Sequence, residues 1–146
     1  MRRGFTLLEV IVVLAILAIT AGVVAPALFR ATRQDDLTHA TSEITTLLGR
    51  ARLAAVERGT PVSVTLTPES GEYAVTIERG DTTALLEEGT LDLDGGVRLV
   101  STVRRPQFRF DPLGTAEGDS VSVLGPTGHR VVALDRWTGE VTRDAR

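Results

Sequence analysis

Glu9 is the residue near the start of the chain whose chemistry most needs an explanation. The chain begins MRRGFTLLEVIVVLAILAIT, and Glu9 lies near the start of the apolar run from Leu7 to Ile19. An unpaired carboxylate at the centre of a membrane helix costs about 3 kcal/mol on insertion scales, and less toward an end. Some other group is therefore expected to offset the charge of Glu9.

Other chemistry has little support in the residue pattern. A hydrolytic triad needs an oriented histidine, but His39 and His129 have no recognisable partner pattern, and both are expected at the surface. The string L-D-L-D-G-G, Leu91 to Gly96, is reminiscent of a calcium loop but lacks the later bidentate glutamate. It is better interpreted as a strand ending in a turn. We predict no catalytic residue, no metal site and no cofactor.

Composition limits the kind of protein. The 146 residues are 42% apolar but only 4% aromatic, so a core must be aliphatic. There is no cysteine, which excludes a disulfide framework and thiolate metal sites. The net charge is −3, and removal of Arg2 and Arg3 would make it −5, which disfavours a non-specific phosphate-binding surface.

Three interpretations fit the apolar segment. Val10 to Phe29 is a stretch of 20 residues without a charge, long enough for a helix to cross the ~30 Å hydrocarbon core as a plain anchor. Alternatively, the segment is a secretory signal peptide cut after Ala27. Neither of these explains Glu9, because neither gains anything from a buried carboxylate.

The third interpretation rests on the string G-F-T-L-L-E, which follows a short basic leader. This string resembles the class III signal of type IV prepilins and type II secretion pseudopilins. The resemblance implies that a membrane peptidase removes residues 1–4 by cutting between Gly4 and Phe5, methylates the Phe5 amine, and leaves residues 5–29 as a transmembrane assembly helix. It also offers Glu9 a partner, the Phe5 amine of a neighbouring subunit, so that two buried charges become a pair.

The helix is expected to continue beyond the apolar segment. Pro26 lacks an N–H and crowds the carbonyl of Gly22, which predicts a kink between the two. Residues 30–59 then form an amphipathic continuation that ends at Gly59 and Pro61. Its apolar residues recur every three or four positions and so form one stripe along the helix, which is expected to pack on a sheet. The apolar stripe consists of Leu37, Ala40, Ile44, Leu47, Leu48, Ala51 and Ala55.

Residues 60–146 are predicted to form a β-domain. Val62 to Leu66 and Tyr73 to Ile77 alternate around the turn P-E-S-G-E, which predicts a hairpin. Further short strands are expected at Val97 to Val103, Gln107 to Phe110, Ser120 to Leu124, Arg130 to Leu134 and Glu140 to Thr142. The fold class is therefore α+β, with a long amino-terminal helix packed on a carboxy-terminal antiparallel β-domain.

Motifs in the carboxy-terminal part of the chain indicate which group of pilin-like proteins it resembles. F-R-F-D-P-L-G-T-A, then G-H-R-V-V-A-L and W-T-G-E-V, resemble the carboxy-terminal pattern of GspH/FimT-type minor pseudopilins and minor pilins. This implies a structural, non-enzymatic subunit of a type II secretion pseudopilus, in the bacterial inner membrane with its carboxy-terminal domain in the periplasm. Its implied partners are other pilins or pseudopilins, the membrane and the prepilin peptidase.

A FimT-like minor type IV pilin that contacts DNA during uptake is the alternative. It would use a patch of Arg130, Arg136, Arg143 and Arg146, which acidic residues interrupt. This interruption disfavours nucleic acid as a partner.

Overall fold

One long helix opens the chain in the computed structural model, which describes residues 7–145, with side chains described for residues 7–20 and 36–142. Helix α1 spans Leu7–Arg58. It ends where Gly59 adopts a φ of 63°, in the left-handed region that favours glycine. This end lies next to Gly59 and Pro61, where the sequence predicts it. Residues 1–32 and 33–146 form two compact units.

The predicted apolar stripe of α1 is buried in the second unit. Leu37, Ala40, Ile44, Leu47, Leu48, Ala51 and Ala55 are all between 0 and 5% exposed. Thr41 is also buried, and its hydroxyl donates to the Leu37 carbonyl oxygen at 2.7 Å, so this polar group is satisfied within the helix. The 3.6-residue period therefore placed the core-facing side of the helix correctly.

In the described part of the chain, nine strands follow the helix, and all the pairings between them are antiparallel. The first sheet has the order β3-β2-β1-β5-β6 and the second has the order β4-β7-β8-β9. The strands are β1 Val62–Thr67, β2 Glu72–Arg79, β3 Thr82–Thr90, β4 Arg98–Val100, β5 Gln107–Phe110, β6 Ala116–Gly118, β7 Val121–Gly125, β8 Gly128–Leu134 and β9 Val141–Ala145.

One hydrophobic core joins the helix to both sheets. Phe108 and Phe110 on β5 are fully buried and lie on the same face of the strand. Val121, Val123 and Val132 from the second sheet belong to the same cluster. The prediction of an α+β fold, with a helix packed on an antiparallel β-domain, is confirmed.

Two strands and one histidine differ from the predictions. Neither β3 nor β6 was expected from the sequence. The strand before L-D-L-D-G-G ends at Thr90, so Leu91 to Leu93 are irregular, while the turn at residues 94–96 is confirmed. His129 lies half-buried on β8 rather than in an exposed turn, because the hairpin between β7 and β8 is tight and pairs His129 with Leu124.

Candidate functional site

The start of helix α1 exposes an almost continuous apolar surface. Ten large aliphatic side chains between Leu7 and Ile19 are 47–78% exposed. Glu9 lies in the first turn, where a negative charge is favoured by the helix dipole. Of the helices in the described part of the chain, none meets the length and hydropathy that a membrane crossing requires. A helix that is apolar on all sides needs other apolar surface to cover it.

The remaining predicted site residues of this segment are only partly described. Gly4 and Phe5 lie outside the described residues, so cleavage and methylation stay predictions. Gly22 and Pro26 lie within the bounds of α1, but their side chains are outside the described part of the chain. The kink between them also stays a prediction, as do the domain limits at residues 4, 29 and 59.

A polar cluster joins α1 to the edge of the first sheet. Arg50 Nη2 donates to Glu87 Oε1 at 3.0 Å, and the Tyr73 hydroxyl donates to the same oxygen at 2.9 Å. This hydrogen bond to Glu87, followed by burial, raises the pKa of Tyr73, because ionisation would turn a donor into a second negative charge. The cluster fixes strand β3 against the helix.

Two turns lie close together at the end of the domain where α1 stops. In the first, between β5 and β6, the Gly114 amide donates to the Asp111 carbonyl oxygen at 3.0 Å. The second follows β8, and the Ala116 amide donates to its Arg136 carbonyl oxygen at 3.2 Å. A Cβ at Gly139 would overlap the Gly114 carbonyl oxygen and lie 3.1 Å from Arg52 Nε, so only glycine allows this close approach.

Asp135 holds the second turn in shape. Its Oδ1 accepts hydrogen bonds from the backbone amides of Trp137 and Thr138, each at 2.9 Å, and from the Thr138 hydroxyl at 3.1 Å. The amide of Thr138, and then that of Trp137, lowers the pKa of Asp135, because these donors stabilise the carboxylate. The turn exposes Trp137 at 86%, and the neighbouring turn exposes Leu113 at 94%.

The residues considered for metal binding or catalysis are two histidines and the aspartates of L-D-L-D-G-G. Among the described residues, no cluster of histidine and acidic side chains is suited to hold a metal ion. His39 is exposed on α1, whereas His129 is half-buried on β8. Asp92 and Asp94 lie near Asp36, and the Asp94 amide donates to Asp92 Oδ1 at 3.3 Å.

The arginines of the nucleic-acid alternative do not form one patch in the described part of the chain. Arg130 Nη2 donates to Thr38 Oγ1 at 3.2 Å. Thr38 lies on α1, near the start of the unit formed by residues 33–146. Arg136 lies in the turn after β8 and contacts Glu117 at 3.5 Å. The side chain of Arg143 and all of Arg146 are outside the described residues.

Fold and amino-terminal segment together define a pilin-like subunit: an exposed apolar helix whose second half packs on an antiparallel β-domain. The family model for the type II transport protein GspH matches residues 40–138, and the model for the prokaryotic N-terminal methylation motif matches residues 1–25. Because the first match alone covers more than half of the chain, the chain belongs to the GspH family, whose members are structural pilins and pseudopilins rather than enzymes.

Relatives and solved structures agree with this class. A fimbrial protein of Pseudomonas aeruginosa is 32% identical over 110 residues, covering 70% of this chain and 68% of that protein. The fold is similar to that of the type IV minor pilin FimU of Pseudomonas aeruginosa, with a TM-score of 0.61 at 16% identity, covering 77% of this chain and 91% of FimU. It is also similar to that of the minor pseudopilin EpsH of Vibrio cholerae, with a TM-score of 0.56 at 16% identity, covering 73% of this chain and 93% of EpsH.

Proposed function

We propose that this chain is a minor pseudopilin that helps to initiate or cap the pseudopilus of a type II secretion system. The exposed aliphatic surface between Leu7 and Ile19 is the observation that carries the proposal. A surface of this kind is stable in water only when lipid or other subunits cover it. Its match to the methylation motif favours a segment that is kept in the mature protein rather than removed.

Maturation is the first step of the proposed role. The prepilin peptidase cuts between Gly4 and Phe5, because a glycine before the scissile bond lets a narrow pocket exclude every side chain there. Methylation of the Phe5 amine follows. Residues 5–29 then hold the protein in the inner membrane, and residues 60–146 form the periplasmic domain.

Assembly uses the charge at Glu9. In a bundle of amino-terminal helices, the Glu9 carboxylate of one subunit lies beside the Phe5 amine of its neighbour. Each charge is costly alone in a medium of low dielectric constant, and the pair offsets much of that cost. The kink proposed between Gly22 and Pro26 would let the helix adjust its direction as it leaves the membrane.

A FimT-like minor type IV pilin remains the second candidate, because the similar fimbrial protein and FimU come from pili. A DNA-contacting variant of this role has less support. Arg130 and Arg136 contact different parts of the domain, and Arg136 lies beside the carboxylate of Glu117. Few phosphates would be neutralised by such separated cations.

Deletion of the gene in its native host tests the proposal. We expect proteins exported by the type II system to accumulate inside the cells, while surface pili remain, and the full chain supplied in trans to restore export. Normal export together with a loss of pili would favour the pilin candidate. Normal export with normal pili would contradict both roles.

A further inference from the structure

The exposed turn before strand β4 contains an aspartate that is followed directly by two glycines. The Val97 amide donates to the Asp94 carbonyl oxygen at 3.3 Å and closes the turn. Gly95 and Gly96 have φ values of 69° and 78°, both in the left-handed region. Two central residues of this kind are typical of a type I′ turn, in which Asp94 takes the first position. Asp94, Gly95 and Gly96 are all exposed to solvent.

The side-chain carboxyl group of Asp94 and the backbone nitrogen of Gly95 are neighbours that have no other partner in the described part of the chain. The Gly95 amide donates no hydrogen bond to any described residue. The Asp94 carboxylate takes part in none of the ion pairs found among the described residues. Glycine also has no side chain to shield its nitrogen. Neither group must therefore give up an existing interaction before the two react.

This arrangement distinguishes Asp94 from the other aspartates of the chain. Asp94 is the only aspartate that a glycine follows. Asp81 and Asp92 are equally exposed, but they precede Thr82 and Leu93, whose side chains crowd the nitrogen that would have to react. Both residues lie in the same part of the domain as Asp94, so they provide internal controls.

We propose that Asp94 is a modification site at which isoaspartate forms spontaneously, and that the modification loosens the turn. The Gly95 nitrogen attacks the side-chain carboxyl carbon of Asp94 in its acid form. A C–N bond forms, and the hydroxyl of the acid leaves as water with the proton of the nitrogen. The product is a succinimide ring that joins the two residues.

Water then opens the ring at one of its two carbonyl groups. Addition at the side-chain carbonyl restores aspartate. Addition at the main-chain carbonyl leaves the chain running through the side chain of Asp94, which is isoaspartate. One water is lost and one is gained, so the product has the mass and charge of the original chain and no other reagent is needed.

Isomerisation would disturb a turn that leads into the core. The Asp94 carbonyl that now accepts the Val97 amide becomes part of a free carboxylate, so the hydrogen bond that closes the turn is lost in its present form. The main chain also gains one carbon before Gly95, which lies so close to Asp36 of α1 that a Cβ would overlap the Asp36 carboxylate. Val97, which follows the turn, is buried. The modified chain is therefore expected to be less stable.

Ageing of the full chain tests the proposal. The protein is purified in detergent, kept in warm neutral buffer for several weeks and digested with trypsin. The tryptic peptide Gly80–Arg98 contains Asp81, Asp92 and Asp94, so the candidate and both controls are measured in one molecule. Electron-transfer fragmentation of the peptide locates isoaspartate, and labelling by an isoaspartate-specific methyltransferase measures its amount.

We expect isoaspartate to accumulate at Asp94 several-fold faster than at Asp81 or Asp92 in the folded protein. Asp94→Glu keeps the charge but would have to close a six-membered ring, which forms more slowly, so this variant should stay unmodified. Hydroxylamine cleaves a chain at a succinimide and should therefore cut the wild type between Asp94 and Gly95 but leave Asp94→Glu intact. Ageing should lower the melting temperature of the wild type more than that of Asp94→Glu.

Isoaspartate at Asp94 that is no more abundant than at Asp92 would overturn the proposal. Fast formation in the urea-unfolded chain without formation in the folded chain would also overturn it, because the turn would then protect Asp94. An unchanged melting temperature in extensively modified protein would show that the turn is not loosened. All the residues involved lie between 36 and 98, so the result does not depend on the fibre role proposed above.

Discussion

Glu9 is the single residue on which the proposed assembly most depends. Its carboxylate lies in the first turn of α1, in a stretch from Leu7 to Ile19 whose other side chains are apolar and exposed. Pairing with an amine of a neighbouring subunit gives the charge a physical reason. Removal of one member of a buried pair strands the other, at a cost of about 3–5 kcal/mol.

We therefore predict that Glu9→Val will be inserted and cleaved normally but incorporated poorly into fibres. Insertion should not suffer, because loss of a charge makes the helix more apolar. Copurification with partner pseudopilins from membranes measures incorporation, and the mass of the chain reports cleavage. Glu57→Val, which removes an exposed carboxylate from the same helix, serves as the control and should assemble normally. Normal assembly of Glu9→Val would show that the pairing is wrong.

A second prediction for a single residue concerns Asp135. Its pKa is lowered in the folded protein, so the stability that it contributes is present above its ordinary value of 3.8 and is lost as the pH falls through the lowered pKa. Asp135→Ala should lower the melting temperature at pH 7, while Asp135→Asn, which keeps an acceptor oxygen, should lower it less.

Thermal melts of the three proteins at pH 7 and near pH 3 measure this effect. The difference between wild type and Asp135→Ala should shrink at the lower pH, because Asp135 is then largely protonated in the unfolded chain and proton uptake favours unfolding. A difference that is the same at both pH values would mean that the charge of Asp135 does not matter to the turn.

At the scale of elements, the helix was the easiest part to predict. A spacing of three and four identified every buried apolar residue of α1 between Leu37 and Ala55, since helical geometry alone fixes that face. The hairpin of β1 and β2 was predicted equally well, because its strands alternate and Gly71 allows the turn between them. Local pattern was sufficient for these elements.

Strand β3 could not be predicted, for a physical reason that is visible in its pairing. A β-bulge shifts the register between Val75 and Thr76, so that Glu87 pairs with Val75 and Leu85 pairs with Thr76. Leu86 then packs against the core while Leu85 is 55% exposed. The bulge breaks the two-residue period on which strand prediction relies.

Prediction of the candidate site from the sequence is limited in the same way. The signal around Glu9 is local and was evident in the sequence. The two neighbouring turns that expose Leu113 and Trp137 were not evident, because they are distant in the chain. The close approach of Gly114 and Gly139 brings the turns together, and no local pattern reports that contact.

The packing of α1 gives a prediction at the same scale. Leu48 is fully buried, whereas Leu53, five residues further along the same helix, is 56% exposed. Leu48→Ala should therefore lower the free energy of unfolding by about 2–5 kcal/mol, and Leu53→Ala by less than about 0.5 kcal/mol. Urea denaturation followed by circular dichroism measures both, and similar losses in the two variants would contradict the observed packing of the helix.

Two parts of the molecule differ in whether their apolar side chains are buried. Residues 33–146 hold the described hydrophobic core, with its seven helical residues and both sheets. The segment from Leu7 to Ile19 contributes none of its side chains to that core and exposes them instead. In the proposed role, lipid or other subunits cover this apolar segment.

The proposed role depends on retention of that apolar segment, which the amino terminus of the mature protein reveals. The chain is to be purified from native membranes and its intact mass and amino-terminal residue determined. We predict a chain that begins at Phe5 with a methylated amine and keeps the whole of helix α1. A chain that begins at Leu28, immediately after Ala27, would show that the segment is a conventional signal peptide and would contradict the proposed role.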